Sequence, residues 1–312
     1  MAGRLELRVG TRASILARVQ AQGVADRLAA SSNRPVRLVP ITTEGDVSSR
    51  PLTDFGGRGV FVSALRQALL RDEIDLAVHS LKDLPTQPEA GVTLAAVPVR
   101  EDPRDVVVAR DGLTLTELPV GSRVGTGSPR RAAQVHALGL GIEVRPVRGN
   151  VDTRIAKVAA GELDAVLLAR AGLSRLGRLA EVTEVLDPLQ MLPAPGQGAL
   201  ACECRSDADD IATLLRTTLD DSLSRTAVTA ERSLLNALEA GCTAPVGALA
   251  DVALGDDGDE IWLRAVVAHP SGSPLIRRSA TGSPDDAVGV GRRLATEMLA
   301  DGAAALCEEL VT

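Results

Sequence analysis

Short strand-like runs and amphipathic helical runs take turns through the first two thirds of the chain, and that rhythm commits it to α/β layers around a largely parallel sheet. "LELRVG" reads as a first strand, and Ser14 is placed to cap the amphipathic helix "ILARVQAQGVADRLAA". "VRLVPIT" reads as a second strand, "GVFVSALRQALL" as a helix, "DLAVHS" and "VTLAAVP" as further strands, closing one unit near Val99. A second unit follows "REDPRD": "VVVA", "SRVGTGS", a helix from about Pro129 to Leu138, "IEVRPV", the helix "VDTRIAKVAAG" and "DAVLLA", ending near Leu192. The Pro- and Gly-punctuated "LPAPGQGALACECR" ends in a strand and reads as the chain crossing between units. The remainder is α+β: a helical stretch from about Asp221 to Glu239, the strand-like "VGALADVAL", "IWLRAVVAH" and "PLIRRSA", and a helix from about Asp285 to Leu310. The expected fold is α/β, with two doubly wound lobes and a third, small α+β domain. Lobe 1 takes 1–99 plus about 198–216, lobe 2 takes 104–193, and the third domain 220–312. Two such lobes suggest a bilobed protein that takes its ligand in a cleft.

Composition narrows the functions such a fold can serve. No apolar run among the 312 residues approaches the roughly 20 that a membrane-spanning helix needs, and "MAGRLELRVGTRAS" lacks the regions of a secretory signal, so a cytoplasmic location is expected. A net charge of −7, no Tyr, one Trp and two Phe leave little with which to bind nucleic acid. Cys202, Cys204, Cys242 and Cys307 form neither a disulfide framework nor a metal-ligating spacing, and no metal is expected. Cys202 and Cys204, two apart on a strand, share one face as small hydrophobes. Cys242, in "EAGCTAPVG", sits instead in a turn after the end of a helix.

The placement of basic residues carries more information than their number. All but Lys82 and Lys157 of the 34 basic residues are arginine. In "SRVGTGSPRRAAQ" a strand, a small-residue turn and a helix start bring backbone N–H groups and Arg130 and Arg131 to one anion-attracting end. The helix dipole disfavours cations there, so a bound anion explains these arginines better than helix stability does. Arg12, Arg148 and Arg154 recur at strand ends and helix starts, which together suggest a ligand rich in carboxylates or phosphates. "GGRGVFVSAL" lacks the spacing of a phosphate loop and reads as a mobile loop. "DLAVHSLKDLP" brings His79, Ser80, Lys82 and Asp83 to the carboxyl end of a strand; His79 reads equally well as a core histidine, and Asp83 as a carboxylate held toward the cleft.

Nine motifs occur in order: "GTRAS", "GGRGVFV", "AVHSLKDLP", "REDPRD", "VGTGSPRR", "RGNVDTR", "AGLSRLG", "LPAPGQGAL" and "GCTAPVG". Together they closely resemble the porphobilinogen deaminase (hydroxymethylbilane synthase) family over essentially the whole chain. The resemblance implies an enzyme that condenses four porphobilinogen molecules head to tail and releases ammonia and hydroxymethylbilane. It implies a dipyrromethane cofactor joined by a thioether to the cysteine of the GC-x-x-P motif, here Cys242, and so makes 220–312 the cofactor-attachment domain. Asp83 becomes the catalytic carboxylate. Arg12, Lys82, Arg130, Arg131, Arg148, Arg154 and Arg175 become the carboxylate-binding set, with Ser80, Thr126 and Ser128 as hydrogen-bond donors and Gln197 beside them. Arg58 and Phe61 fall in a loop with a gating role; Arg58 stands where relatives often carry lysine. Gly127 and Pro129 stand where serine and leucine are frequent, and Pro129 suits a first helical position. Porphobilinogen is the expected partner, as substrate, with no nucleic acid or membrane, and the protein is expected to be a monomer. A competing expectation is a non-enzymatic binder whose lobes are periplasmic-binding-protein-like, which would require neither Cys242 nor a third domain.

Overall fold

The computed structural model describes residues 6–42, 62–240, 244–256 and 258–308. Arg58, Phe61 and Cys242 lie outside the described residues. In chain order, β1 (Leu7–Arg12), α1 (Ile15–Ser32), β2 (Val36–Ile41), α2 (Ser63–Leu70), β3 (Leu76–Ser80) and β4 (Val92–Ala96) come first. β5 (Asp105–Ala109), β6 (Arg123–Thr126), α3 (Pro129–Ala137), β7 (Glu143–Pro146), α4 (Val151–Ala159), β8 (Ala165–Ala169), α5 (Arg170–Arg175) and β9 (Glu184–Val185) follow. The chain then forms β10 (Leu200–Arg205), α6 (Asp209–Leu219), α7 (Ser222–Ala237), β11 (Val246–Ala253), β12 (Glu260–Ala268), β13 (Leu275–Gly282), α8 (Ala287–Ala300) and α9 (Ala303–Glu308). Two compact units result: 1–101 with 199–225, and 102–198 with 226–312.

The first unit holds a sheet in the order β2-β1-β3-β10-β4. β1 runs parallel to β2 and β3, while β10 is antiparallel to both β3 and β4. Both faces are covered, which is why its central strands read as unbroken apolar runs. Leu76 and Val78 of β3 pack with Val24 and Leu28 of α1 and Leu215 of α6, whereas Ala77 turns the other way onto Leu65 and Leu69 of α2. Cys202 and Cys204 share the α1 face, as their spacing predicts, and burial pushes their thiols up to about 12 and about 11. Ser14 caps α1, its Oγ accepting from the Ala17 amide at 3.4 Å.

The second unit contains a sheet wound the same way, β7-β6-β8-β5-β9, with β5 in the antiparallel place that β10 takes in the first. Ala165 and Leu167 of β8 pack with Val135 of α3, and Val166 and Leu168 with Ile155 of α4 and Leu173 of α5. The same unit carries the antiparallel meander β11-β12-β13. Ile261, Leu263, Ala265 and Val267 of β12 face Leu234 near the end of α7, Leu294 and Met298 of α8, and Leu306 of α9. On the opposite face Leu249 and Val266 cover Leu192. Gly247 allows a close approach here, since a Cβ there would lie 2.8 Å from the Leu192 carbonyl oxygen. The single terminal helix expected from about Asp285 to Leu310 is instead interrupted: α8 stops at Ala300, and Gly302 adopts φ +94° before α9.

Candidate active site

In the first unit, the carboxyl ends of β1 and β3 bring Arg12 and Ser80 to one edge of the sheet. A single 3-10 turn, Leu81–Asp83, follows β3 directly. Buried Leu81 and Leu84 bracket it, and the Leu81 amide donates to Ala199 O at 3.0 Å, so half-buried Lys82 and Asp83 hang from a pinned loop. Among the described residues the Asp83 carboxylate has neither a hydrogen-bond nor an ion-pair partner. Ser80 Oγ donates to Gln20 Oε1 at 3.2 Å. Gln20 is buried on α1 and escapes a reading by motif; its one signal is an amide on the apolar face of that helix.

His79 does not join this cluster. It is buried on the α2 side of the sheet, where Nε2 lies 3.3 Å from Glu203 Oε2. Arg66 of α2 grips the same carboxylate through Nε at 3.0 Å and Nη2 at 2.7 Å. Burial alone would raise the Glu203 pKa, but His79 and Arg66 outweigh it and hold the carboxyl at about 2. A carboxyl that titrates near 4.5 when unfolded and at about 2 when folded contributes about 3 kcal/mol of stability. That contribution is complete above the unfolded value and is lost as the pH falls toward 2. Thermal melting between pH 6 and 2, buffers chosen by the experimenter at roughly unit steps, should show this loss in the wild type and a flatter profile in Glu203→Gln.

In the second unit, β6 ends at Thr126, whose Oγ1 accepts from the Ser128 amide at 3.1 Å. Ser128 caps α3 by accepting from the Arg131 amide at 3.5 Å, and Pro129 takes the first helical position, as its fixed φ favours. Gly127 is required here: a Cβ would sit 2.7 Å from the Val147 carbonyl oxygen, which leaves no room for serine. Arg130 and Arg131 in the first turn of α3 are buried, and both reach Asp105, which is fully buried at the head of β5. Arg130 Nη1 lies 2.7 Å from Asp105 Oδ2 and donates to Leu192 O at 2.5 Å. Arg131 donates to Asp105 Oδ1 through Nε at 3.1 Å and Nη2 at 2.8 Å, and to Leu167 O through Nη1 at 3.0 Å. Burial raises the Asp105 pKa, yet the two guanidiniums hold it well below the usual carboxylate range. Gln197 Nε2 donates to the same Oδ1 at 2.8 Å and to Pro103 O at 2.6 Å.

Arg148 and Arg154 flank the start of α4, which Asn150 caps. Arg154 Nε donates to Gly149 O at 2.8 Å. Its guanidinium has no carboxylate partner among the described residues, and burial, then Arg131 and Arg148, push its pKa down. Like charges gathered around a half-buried cation that lacks an anion are what a carboxylate or phosphate would relieve. Arg175, the last residue of α5, donates from Nη2 to Gly198 O at 2.6 Å, one residue from Gln197. Asp105 is thus the residue most clearly missed by reading the sequence, although it heads an apolar strand, where an acid needs a partner.

Two sheets of identical winding, each completed by an antiparallel strand, together with a meander backed by helices, define an α/β protein with two doubly wound sheets and an added α+β portion. The family model "Porphobilinogen deaminase, dipyromethane cofactor binding domain" matches residues 7–213, and that of the porphobilinogen deaminase C-terminal domain matches 225–300. The chain belongs to the porphobilinogen deaminase family. It is 57% identical over 310 residues to the porphobilinogen deaminase of Nocardia farcinica, covering 97% of this chain and 88% of that one. With porphobilinogen deaminase 1 of Streptomyces coelicolor it shares 58% identity over 313 residues, covering 97% and 98% respectively. The Mycobacterium tuberculosis porphobilinogen deaminase is 56% identical over 302 residues, covering 95% of this chain and 97% of the relative. Among solved structures, the Bordetella pertussis BvgS VFT2 domain is similar over 75% of this chain and 94% of its own, at 16% identity and a TM-score of 0.45. Family membership sets aside the expectation of a non-enzymatic binder.

Proposed function

We propose that this chain is a hydroxymethylbilane synthase that condenses four porphobilinogen molecules head to tail and releases ammonia and hydroxymethylbilane. One observation carries the reading: Arg154, crowded by Arg131 and Arg148, has no carboxylate partner among the described residues, so its guanidinium is short of an anion. A dipyrromethane bearing acetate and propionate groups fits that shortage. Arg148, Arg154 and Arg175, with Thr126 and Ser128 and the one N–H left on Arg131, would hold its carboxylates, while Arg130 and Gln197 would stand behind them on Asp105. When bound, the dipyrromethane would supply the free pyrrole α-carbon from which the chain of condensed units is grown. Arg12, Lys82 and Ser80 would orient incoming porphobilinogen by its carboxylates. Asp83, which has no hydrogen-bond or ion-pair partner among the described residues, would face the positive charge that develops on pyrrole nitrogen as the amine leaves, and would hold or move the proton there.

Residues 220–312 are proposed as the domain that carries the cofactor, through Cys242. Among the described residues no helix is long and apolar enough to cross a membrane. Action in the cytoplasm as a monomer, with porphobilinogen as partner and without nucleic acid or membrane, is part of the same reading. The test is incubation of the purified protein with porphobilinogen. One ammonia released per porphobilinogen consumed, with hydroxymethylbilane accumulating, is the expected result. Binding of porphobilinogen without ammonia release would overturn it.

A further inference from the structure

The first turn of α3 places like charges on consecutive residues at the end of a helix where the backbone dipole also disfavours cations. Left to themselves, both side chains would turn to water. Instead Arg130 is 3% and Arg131 5% exposed, and what holds them in is the carboxylate of Asp105. Arg131 spends two of its hydrogen bonds on Asp105 Oδ1, one on Leu167 O and a long one, 3.5 Å, on Gln197 Oε1. A guanidinium has five N–H groups, so one, on Nη1, is left for anything else. Arg131 is therefore a charge fixed in place and not an open fork. Arg154 is the reverse: its Nε is used on Gly149 O, while both terminal nitrogens lack a partner among the described residues.

We propose that Asp105 is a positioning residue for carboxylate binding: it fixes Arg131 and Gln197 so that Arg131 supplies a stationary positive charge beside Arg154, whose fork takes the carboxylate. This rests on the reading of these arginines as the carboxylate-binding set. Gln197 belongs to the same arrangement because its amide is held between Asp105 Oδ1 and Pro103 O. Two roles for Asp105 lead to opposite results on its removal. As a bare negative charge among arginines it would oppose anions, and neutralising it would tighten porphobilinogen binding. As a positioning residue it aids binding, and neutralising it loosens the site despite the added positive charge.

The experiment compares wild type and Asp105→Asn by intact mass, circular dichroism and steady-state kinetics with porphobilinogen. The expected result is a KM raised at least about tenfold, the scale of one lost charge-assisted hydrogen bond, with a much smaller change in kcat. A folded variant that carries no cofactor adduct also supports the proposal, since carboxylate binding then fails at assembly. A purely structural defect would lower the active fraction, and so kcat, and leave KM in place. A folded, adduct-bearing Asp105→Asn enzyme with KM unchanged or lowered overturns the proposal. If the two guanidiniums left facing each other prevent folding, Arg130→Met with Asp105→Asn removes the surplus charge and is compared with Arg130→Met alone. The same rise in KM between those two proteins supports the proposal, and equal values overturn it. Wild type lacking both adduct and ammonia release would count against the proposed function itself; a normal wild type with unaffected variants counts against Asp105 alone.

Discussion

Replacing Asp83 with asparagine is expected to lower kcat by about two to four orders of magnitude, the range associated with losing a positioned acid or base. Its half-buried carboxylate makes no hydrogen bond or ion pair among the described residues, so neutralising it removes no protein contact. Stability should therefore stay within about 0.5 kcal/mol of the wild type. The 3-10 turn should also persist, because it is held by buried Leu81 and Leu84 and by the Leu81 amide on Ala199 O. KM should change little, since the carboxylate acts on charge that appears only as the amine departs. Steady-state kinetics with porphobilinogen and a melting curve separate the two effects. Wild-type kcat in the asparagine variant would remove Asp83 from the chemistry.

Replacing Cys242 with serine is expected to abolish the covalent adduct and, with it, all turnover. Serine is far less nucleophilic than a thiolate toward the electrophilic carbon formed when porphobilinogen loses its amine. Two of the other cysteines are poor alternatives, because burial keeps the Cys202 and Cys204 thiols protonated far above neutral pH. Cys307 is half-buried in α9. Cys242 lies outside the described residues, between α7 and β11 in the sequence. Glu231 of α7, fully buried, accepts from the Gly196 amide at 2.6 Å and the Ala250 amide at 2.8 Å, tying α7 to β11. Intact mass of each Cys→Ser variant is the measurement. An adduct that survives in Cys242→Ser and disappears in another variant would move the attachment point.

Much of the fold was legible wherever a local period carries the information. The alternation of Leu76, Ala77 and Val78 reports two packed faces, and α1 with its Ser14 cap follows from pattern and capping together. What escaped depends on distant partners. β5 reads as an ordinary strand, and nothing near it in sequence says that it lies antiparallel between β8 and β9. No helix is read from the sequence over α6 (Asp209–Leu219), and β9 is too short to carry a period. The site shows the same division. Positions at strand ends and helix starts single out Arg131, Arg154 and Asp83 as candidates, but not the acids that hold the arginines. Arg66 meets Glu203 137 residues away, and Arg131 meets Asp105 26 residues back. The anion that the paired arginines of α3 call for is, in the first instance, a carboxylate from the protein itself.

The strand orders also decide which sheet can be finished first as the chain is made. When synthesis reaches Glu101, β1 to β4 exist, yet the place between β3 and β4 stays empty until residues 200–205 emerge as β10. The five strands of the second sheet, β5 to β9, are contiguous between Asp105 and Val185. The sheet that begins later in the sequence can thus be complete on the ribosome while the earlier one still lacks an inner strand, leaving β3 and β4 with unpaired edges that a chaperone or a slow translation step would have to tolerate.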